Sequence, residues 1–150
     1  MNTVVVVDAN VVAKTFLSEA DAPDTIKFFT ACVAEKLQVI APDIVKYEVA
    51  QTAMKHCYPV GRVMNIFRDQ LSTLIDMQSP EGEVWEQAEA ICQHGHPKSG
   101  YPTMYDSIYH AMAIVEDGLF ITADKRHYEK AKTFGHIALL SNWQAALKGL

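Results

Sequence analysis

Four carboxylates stand where an α/β chain could bring them together: Asp8, Glu48, Asp106 and Asp124. Asp8 ends the run VVVV and Asp124 follows LFITA, so each lies just past the carboxyl end of an apolar strand. That edge is where open α/β sheets form their ligand sites. Glu48 lies in APDIVKYEVAQTAMK, where helical spacing puts Ile44, Glu48 and Thr52 on one face. Asp106 lies in PTMYDSIYHAMA, in the first turn of a helix predicted to start near Thr103. Acids gathered side by side repel one another and raise each other's pKa, and a bound cation reverses that. The hard ion Mg²⁺ takes oxygen ligands, keeps several waters and binds through a few carboxylates plus a substrate phosphate.

Each acid also has an ordinary use. Asp is a favoured N-cap, so Asp8 and Asp124 could cap the helices that follow them. Asn10 could take over the first cap and leave Asp8 for another task. Glu48, beside an apolar stripe, is either a boundary residue in water or a group directed at a polar site. Asp106 could serve the helix dipole, worth about 0.3–1 kcal/mol, and Thr103 three residues before it resembles a capping box.

The elements that must position these residues follow from pattern. Val4 to Val7 is a β-branched run suited to a strand buried on both faces of a parallel sheet. Helices are predicted near 11–17, 21–36, 43–57, 60–74, 80–93, 103–117, 124–134 and 142–148. Strands are predicted at LQVIAP, around 74–77, at LFIT and at HIALL. HGHPKSGYP is a loop, with glycine, proline and serine concentrated in it. Strands alternate with helices throughout, which predicts a three-layer α/β/α sandwich around a mostly parallel sheet, one domain over residues 1–150.

Composition narrows the class. The 49% hydrophobic and 21% charged content suits a soluble globular chain. No apolar run approaches the roughly 18 residues of a bilayer span, and Thr3 to Val7 has no basic flank, so neither a membrane segment nor a secretory leader is expected. Cys32, Cys57 and Cys92 are dispersed and suit reduced thiols of a cytoplasmic protein. The net charge of −5 argues at first against a nucleic-acid partner, but setting four site acids aside leaves the rest nearly neutral.

VVVVDANVV, PDIVKYEVA, YDSIYHAMA and FITADKRHY, in that order, resemble the four motif regions of PIN-domain ribonucleases, above all the VapC-type toxins of prokaryotic toxin–antitoxin pairs. The resemblance implies that Asp8, Glu48, Asp106 and Asp124 form an acidic quartet holding Mg²⁺ or Mn²⁺. Asn10 and Thr122 match small polar residues that accompany it. It implies a central parallel sheet flanked by helices, an RNA substrate, a homodimer, and an antitoxin lying across helices near 21–36 and 60–75. The implied reaction is in-line attack by a metal-activated water, leaving a 5′-phosphate and a 3′-hydroxyl. Asp8, Asp106 and Asp124 would be ligands, and Glu48 either a ligand or the group orienting the water.

Phosphate contacts are expected from Lys125 and Arg126, and from Lys14, Lys46 or Lys55. Single-stranded RNA is also read by stacking, for which Tyr47, Tyr105 and His127 are candidates. Cys92, His94 and His96 form a C-x-H-x-H pattern unlike structural zinc spacing. No P-loop or G-x-G-x-x-G occurs, and Ser107 with His110 does not make a triad. Two further readings remain open. One is a PIN fold that holds RNA or an antitoxin without cutting. The other is a phosphotransfer domain, although D-A-N at Asp8 lacks the D-x-D of the dehalogenases.

Overall fold

The computed structural model describes residues 3–95, 97–98 and 100–150. Five parallel strands, β1 (Val4–Val7), β2 (Gln38–Pro42), β3 (Asp76–Gln78), β4 (Leu119–Thr122) and β5 (Ile137–Leu139), pair in the order β3-β2-β1-β4-β5. The helices are α1 (Ala9–Ala13), α2 (Ala22–Ala34), α3 (Val45–Lys55), α4 (Val60–Ile66), α5 (Glu83–Cys92), α6 (Met104–Val115), α7 (Lys125–Ala131) and α8 (Trp143–Lys148). β1 and β4 are buried along their whole length, as continuous apolar runs require when both faces of a sheet are covered. Each buried valine of β1 contributes on the order of 1.5–3 kcal/mol.

Strand order sets the layers. The chain steps from β1 to β2 to β3 in one direction, then returns to β4 and goes on to β5 in the other. Right-handed crossovers therefore place α1 to α4 on one face and α5 to α7 on the opposite face. α5 packs along α6, and α6 lies on β1, β2 and β4. Trp143 of α8 meets Phe28 of α2, so α8 covers the first face. The reversal falls between β1 and β4, the topological switch point at which open sheets leave a crevice.

Several boundaries differ from the sequence expectation. α1 begins at Ala9 because Val11 and Val12 donate their N–H groups to the Asp8 backbone carbonyl, at 3.0 and 3.1 Å. Asn10 is thus inside the helix and does not cap it. The expected helix over 60–74 contains a π-turn at Phe67–Leu71 between α4 and a last turn at Ser72–Leu74. Val63, Phe67 and Leu71 recur every four residues and all face the core. An ordinary helix would rotate such a row by about 40° per step, and the wider turn keeps it inward. Among the described residues, no helix is long and apolar enough to cross a membrane.

Gly118 closes α6 by donating to the Ala113 carbonyl at 2.7 Å. A Cβ there would stand 2.3 Å from the Val4 carbonyl oxygen, and only movement of the β1 backbone could relieve that. Gly118→Ala is expected to lower stability by about 1–3 kcal/mol in a urea titration; an unchanged midpoint would show that β1 is not so tightly placed.

His110 of α6 is fully buried and bonds through Nε2 to the Gly135 carbonyl at 2.7 Å, while Nδ1 meets His127 Nε2 at 3.4 Å. Burial pushes its pKa down to about 4, His127 and His136 lower it further, and the Gly135 carbonyl raises it. A depressed histidine pKa makes the unfolded chain the better proton acceptor, so its contribution is full above about pH 6.5 and lost toward pH 4. The carboxylates Asp8, Glu48 and Asp106, whose pKa values are raised, act in the opposite sense over the same range. Comparison with His110→Gln at each pH cancels them. The stability advantage of the native chain over that variant should shrink by roughly 2 kcal/mol between pH 7.5 and 4.5, and a constant gap would rule this out.

Candidate active site

Asp8 leaves the end of β1 at the switch point and stays 4% exposed. Its side chain makes no cap bond. Oδ2 accepts the Thr122 hydroxyl of β4 at 2.6 Å and the Asn10 amide at 3.3 Å. Asn10 Oδ1 in turn accepts the Ala123 N–H at 3.1 Å, and Thr122 Oγ1 accepts the Asp124 N–H at 3.0 Å. The ends of β1 and β4 are tied together by side chains the sequence singled out as supporting polar residues.

Glu48 is on α3 with its carboxylate directed at this same place rather than at open water. Oε1 accepts the hydroxyl of Tyr109, a fully buried ring of α6, at 2.8 Å. Asp106 opens α6, where Thr103 caps the helix by accepting the Asp106 N–H at 3.2 Å. Asp8, Asn10, Glu48, Gln51, Thr52, Lys55 and Asp106 line one cleft of about 230 Å³. Asp124 stands beside Asp106 and raises its pKa. It also caps α7, Oδ1 accepting the N–H groups of Arg126 and His127 at 2.9 and 3.1 Å.

The electrostatics are those of acids without a counter-charge. Burial pushes Asp8 up to about 7, against the Thr122 hydrogen bond, and the charges of Asp106 and Glu48 raise it further. Glu48 is raised by burial and by Asp106, with the Tyr109 hydroxyl opposing. Asp106 is raised by burial and by Asp124, with Thr103 and Lys130 opposing. Tyr109, buried among these carboxylates, is held firmly protonated and so remains a donor.

Among the described residues, no group of three or more carboxylates, imidazoles or thiols stands as a ready-made metal shell. The four acids share one edge without closing on one point, and Oδ1 of Asp124 is turned to its cap. The donor set is nonetheless all oxygen, with a buried carboxylate lacking a positive partner. That suits a hard ion which keeps several waters and needs only a carboxylate or two.

The structure corrects other expectations. Lys14 is 8% exposed and paired with Glu19 and Asp21, the latter at 3.0 Å, so it is committed within the fold and does not face RNA. His127 is buried against His110 and Phe120 and does not offer a stacking face. Tyr47 and Tyr105 are exposed, as are Lys125 and Arg126, and Lys46 is half-buried. Cys92 donates to the Ser107 hydroxyl and His94 packs on Phe134, while His96 lies outside the described residues. Ser107 and His110 take separate partners. Sequence reasoning missed Tyr109 and Lys130. Tyr109 was detectable, since it follows Asp106 by three residues and shares its helix face.

No family model matches the chain, and no curated protein matches it. Solved structures do. The VapBC2 complex of Rickettsia felis, bound to a DNA fragment from its promoter, superposes with a TM-score of 0.68 at 11% identity, covering 91% of this chain and 97% of that one. FitAcB from Neisseria gonorrhoeae gives 0.66 at 13%, covering 90% and 95%. VapC20 of Mycobacterium tuberculosis, a toxin that cleaves the sarcin–ricin loop, gives 0.57 at 16%, covering 76% and 84%. The chain has the fold of PIN-domain proteins. Its structural neighbours are the VapC- and FitB-type proteins of toxin–antitoxin pairs.

The two uses of Asp124 separate by substitution. Asparagine can still cap α7, whereas alanine cannot, at a cost of about 1 kcal/mol. In EDTA, Asp124→Ala should melt about 2–4 °C below the native chain, and Asp124→Asn close to it. Equal melting of the two variants would mean that the cap contributes nothing.

Proposed function

We propose that this protein is a cytoplasmic Mg²⁺- or Mn²⁺-dependent endoribonuclease, the toxin of a toxin–antitoxin pair. The observation that carries this reading is the Asp8 carboxylate, buried at the switch point with a pKa of about 7 and sharing a cleft with Glu48 and Asp106. A carboxylate so placed is stabilised by a cation and by little else that the site offers.

Asp8, Asp106 and Asp124 would hold the ion, with Glu48 as a further ligand or as the group that orients the attacking water. The ion supplies a water of lowered pKa and compensates charge on the scissile phosphate and the leaving oxygen. The chain's own residues do the positioning. Thr122 and Asn10 fix Asp8, Tyr109 fixes Glu48, and the Thr103 cap fixes the turn that carries Asp106. Lys55 at the cleft and exposed Lys125 and Arg126 at the start of α7 are suited to the flanking phosphates, and half-buried Lys46 on α3 is a further candidate. The products of in-line attack are a 5′-phosphate and a 3′-hydroxyl.

The antitoxin half of the reading has its own support. A groove of about 280 Å³ lies between α2 and the 60–74 helix, lined by Phe16, Ile26, Phe29, Ile66, Leu71 and Leu74, and Ile26 is largely exposed. An amphipathic antitoxin helix could place apolar anchors there. Two copies of the toxin would make the functional unit. The lack of a closed ligand shell favours a second reading, a PIN fold that binds RNA or antitoxin without cutting.

Pooled cellular RNA incubated with the purified protein and Mn²⁺ should be cut at a limited set of sites with 5′-phosphate ends. EDTA should abolish cutting, and Asp106→Asn should lower the rate at least about a hundredfold. Mn²⁺ should also raise the melting temperature, and less so in Asp8→Asn. Cutting that survives EDTA would overturn the mechanism; melting that ignores Mn²⁺, with no cutting, would favour the silent binding module.

A further inference from the structure

Beside the acid cleft lies a second, larger cavity of about 450 Å³, lined by Asp43, Ile44, Ser79, Pro80, Trp85, Met104, Tyr105 and Ile108. It is within the size range of small-ligand sites, which are mostly apolar with a few placed polar groups. The cavity and the cleft are contiguous along the chain. Met104 and Tyr105 immediately precede Asp106 on α6, and Ile108 follows it by two residues. The start of α3 likewise gives Ile44 to the cavity and Glu48, one turn on, to the cleft, so the first turns of two helices carry residues of both.

Its walls are unusual for a surface. Trp85 is 47% exposed and Tyr105 59% exposed, yet the indole is anchored by donating Nε1–H to the Pro80 carbonyl at 2.8 Å. Anchoring an aromatic ring without burying it leaves a pre-set flat face. The polar end is a single carboxylate. Asp43, held at the end of β2 by its N–H bond to the Gln78 carbonyl at 2.8 Å, accepts the Ser79 hydroxyl on Oδ2 at 2.7 Å. Its two oxygens offer about four acceptor positions, and Ser79 occupies one.

We infer that this cavity is a nucleobase subsite that seats a guanine of single-stranded RNA next to the scissile phosphate. The inference rests on the nuclease reading and adds a determinant of where the chain is cut. Aromatic rings accept any base by stacking. The carboxylate selects among them, because guanine alone presents two adjacent donors, N1–H and the N2 amino group, to one acceptor pair. Adenine, cytosine and uracil each offer a single donor group on that edge. The negative charge of Asp43 also disfavours a phosphate in this cavity, so the base and not the backbone enters it.

The test uses the intact chain in EDTA, where no cutting can occur, and follows tryptophan fluorescence as guanosine, adenosine, cytidine and uridine are added separately. Guanosine should quench saturably and bind about tenfold or more tighter than the other three. Asp43→Asn should remove that preference while stacking persists, Tyr105→Ala should weaken all four nucleosides, and Trp85→Phe should abolish the signal. With Mn²⁺, cut sites mapped on pooled RNA should carry guanine at one fixed position beside the cut, and Asp43→Asn should lose that bias.

The outcomes separate the two proposals. Cutting without guanosine binding and without guanine bias overturns the subsite and leaves the nuclease. Guanosine binding without cutting in Mn²⁺ supports the subsite and overturns the nuclease. If nucleosides leave the fluorescence unchanged while Tyr105→Ala shifts the protein from dimer to monomer, the cavity is covered by a second copy of the chain and the subsite falls.

Discussion

Ionising Asp8 where it stands costs free energy that none of the described residues offsets in full, and the carboxyl edge of the sheet is built around that burial. The strand before it is buried on both faces, so the residue that ends the strand is buried as well. Thr122 and Asn10 each donate to it, a hydroxyl from the neighbouring strand and an amide from the next turn. The Thr122 hydroxyl and the Ala9 backbone N–H oppose the rise in pKa but do not cancel it, and the neighbouring acids add to it. The strand ends are thereby locked to each other by the residues that surround the charge. Precision of this kind is what a reactive constellation needs from its scaffold.

Much of this was legible in the sequence because burial and period are written locally. Four valines require a strand covered on both sides, and Gly118 and Gly135 mark the helix ends before β4 and β5. The four acids could be placed because each is anchored to the end of a strand or the start of a helix. What escaped depends on contacts distant in sequence. Lys14 reads as a free basic residue until Glu19 and Asp21 fold over it. His127 reads as a surface ring beside a motif acid, and only the packing of α7 on α6 buries it against His110. That Asp124 turns Oδ1 to cap α7 is set by its rotamer, which no spacing rule contains.

Topology explains why the remaining features fall where they do. Helices reverse faces at the switch point, so the loops after β1 and β4 splay apart and leave the crevice that the acids line. The aromatic cavity belongs to the β2 and β3 side of that crevice, since Asp43 and Ser79 follow those strands. Lys125 and Arg126 belong to the β4 side. A strand of RNA laid across the edge would meet aromatic rings, then acids, then basic side chains, in that order. The apolar groove between α2 and the 60–74 helix is on one outer layer of the sandwich, lined by none of the acids. A partner held there would not need to displace the four acids.

The dual position of Asp124 bears on whether the open arrangement of acids argues against a cation. Its Oδ1 accepts both cap bonds, which leaves Oδ2 with its lone pairs unused by the cap. Capping and ligation are therefore compatible within one carboxylate, and the cap restrains the torsion that a ligand would otherwise lose on binding. The spread of the other acids follows from charge. Two carboxylates at about 4 Å repel by about 4 kcal/mol at an effective dielectric of 20, so without a cation the relaxed state of such a set is an open one. Lack of convergence is compatible with a hard-ion site and with a silent binding fold alike, and what distinguishes the set is the burial of Asp8 among acids. A merely structural aspartate would be expected to have a basic partner or to face water. This one faces a hydroxyl, an amide and two more acids.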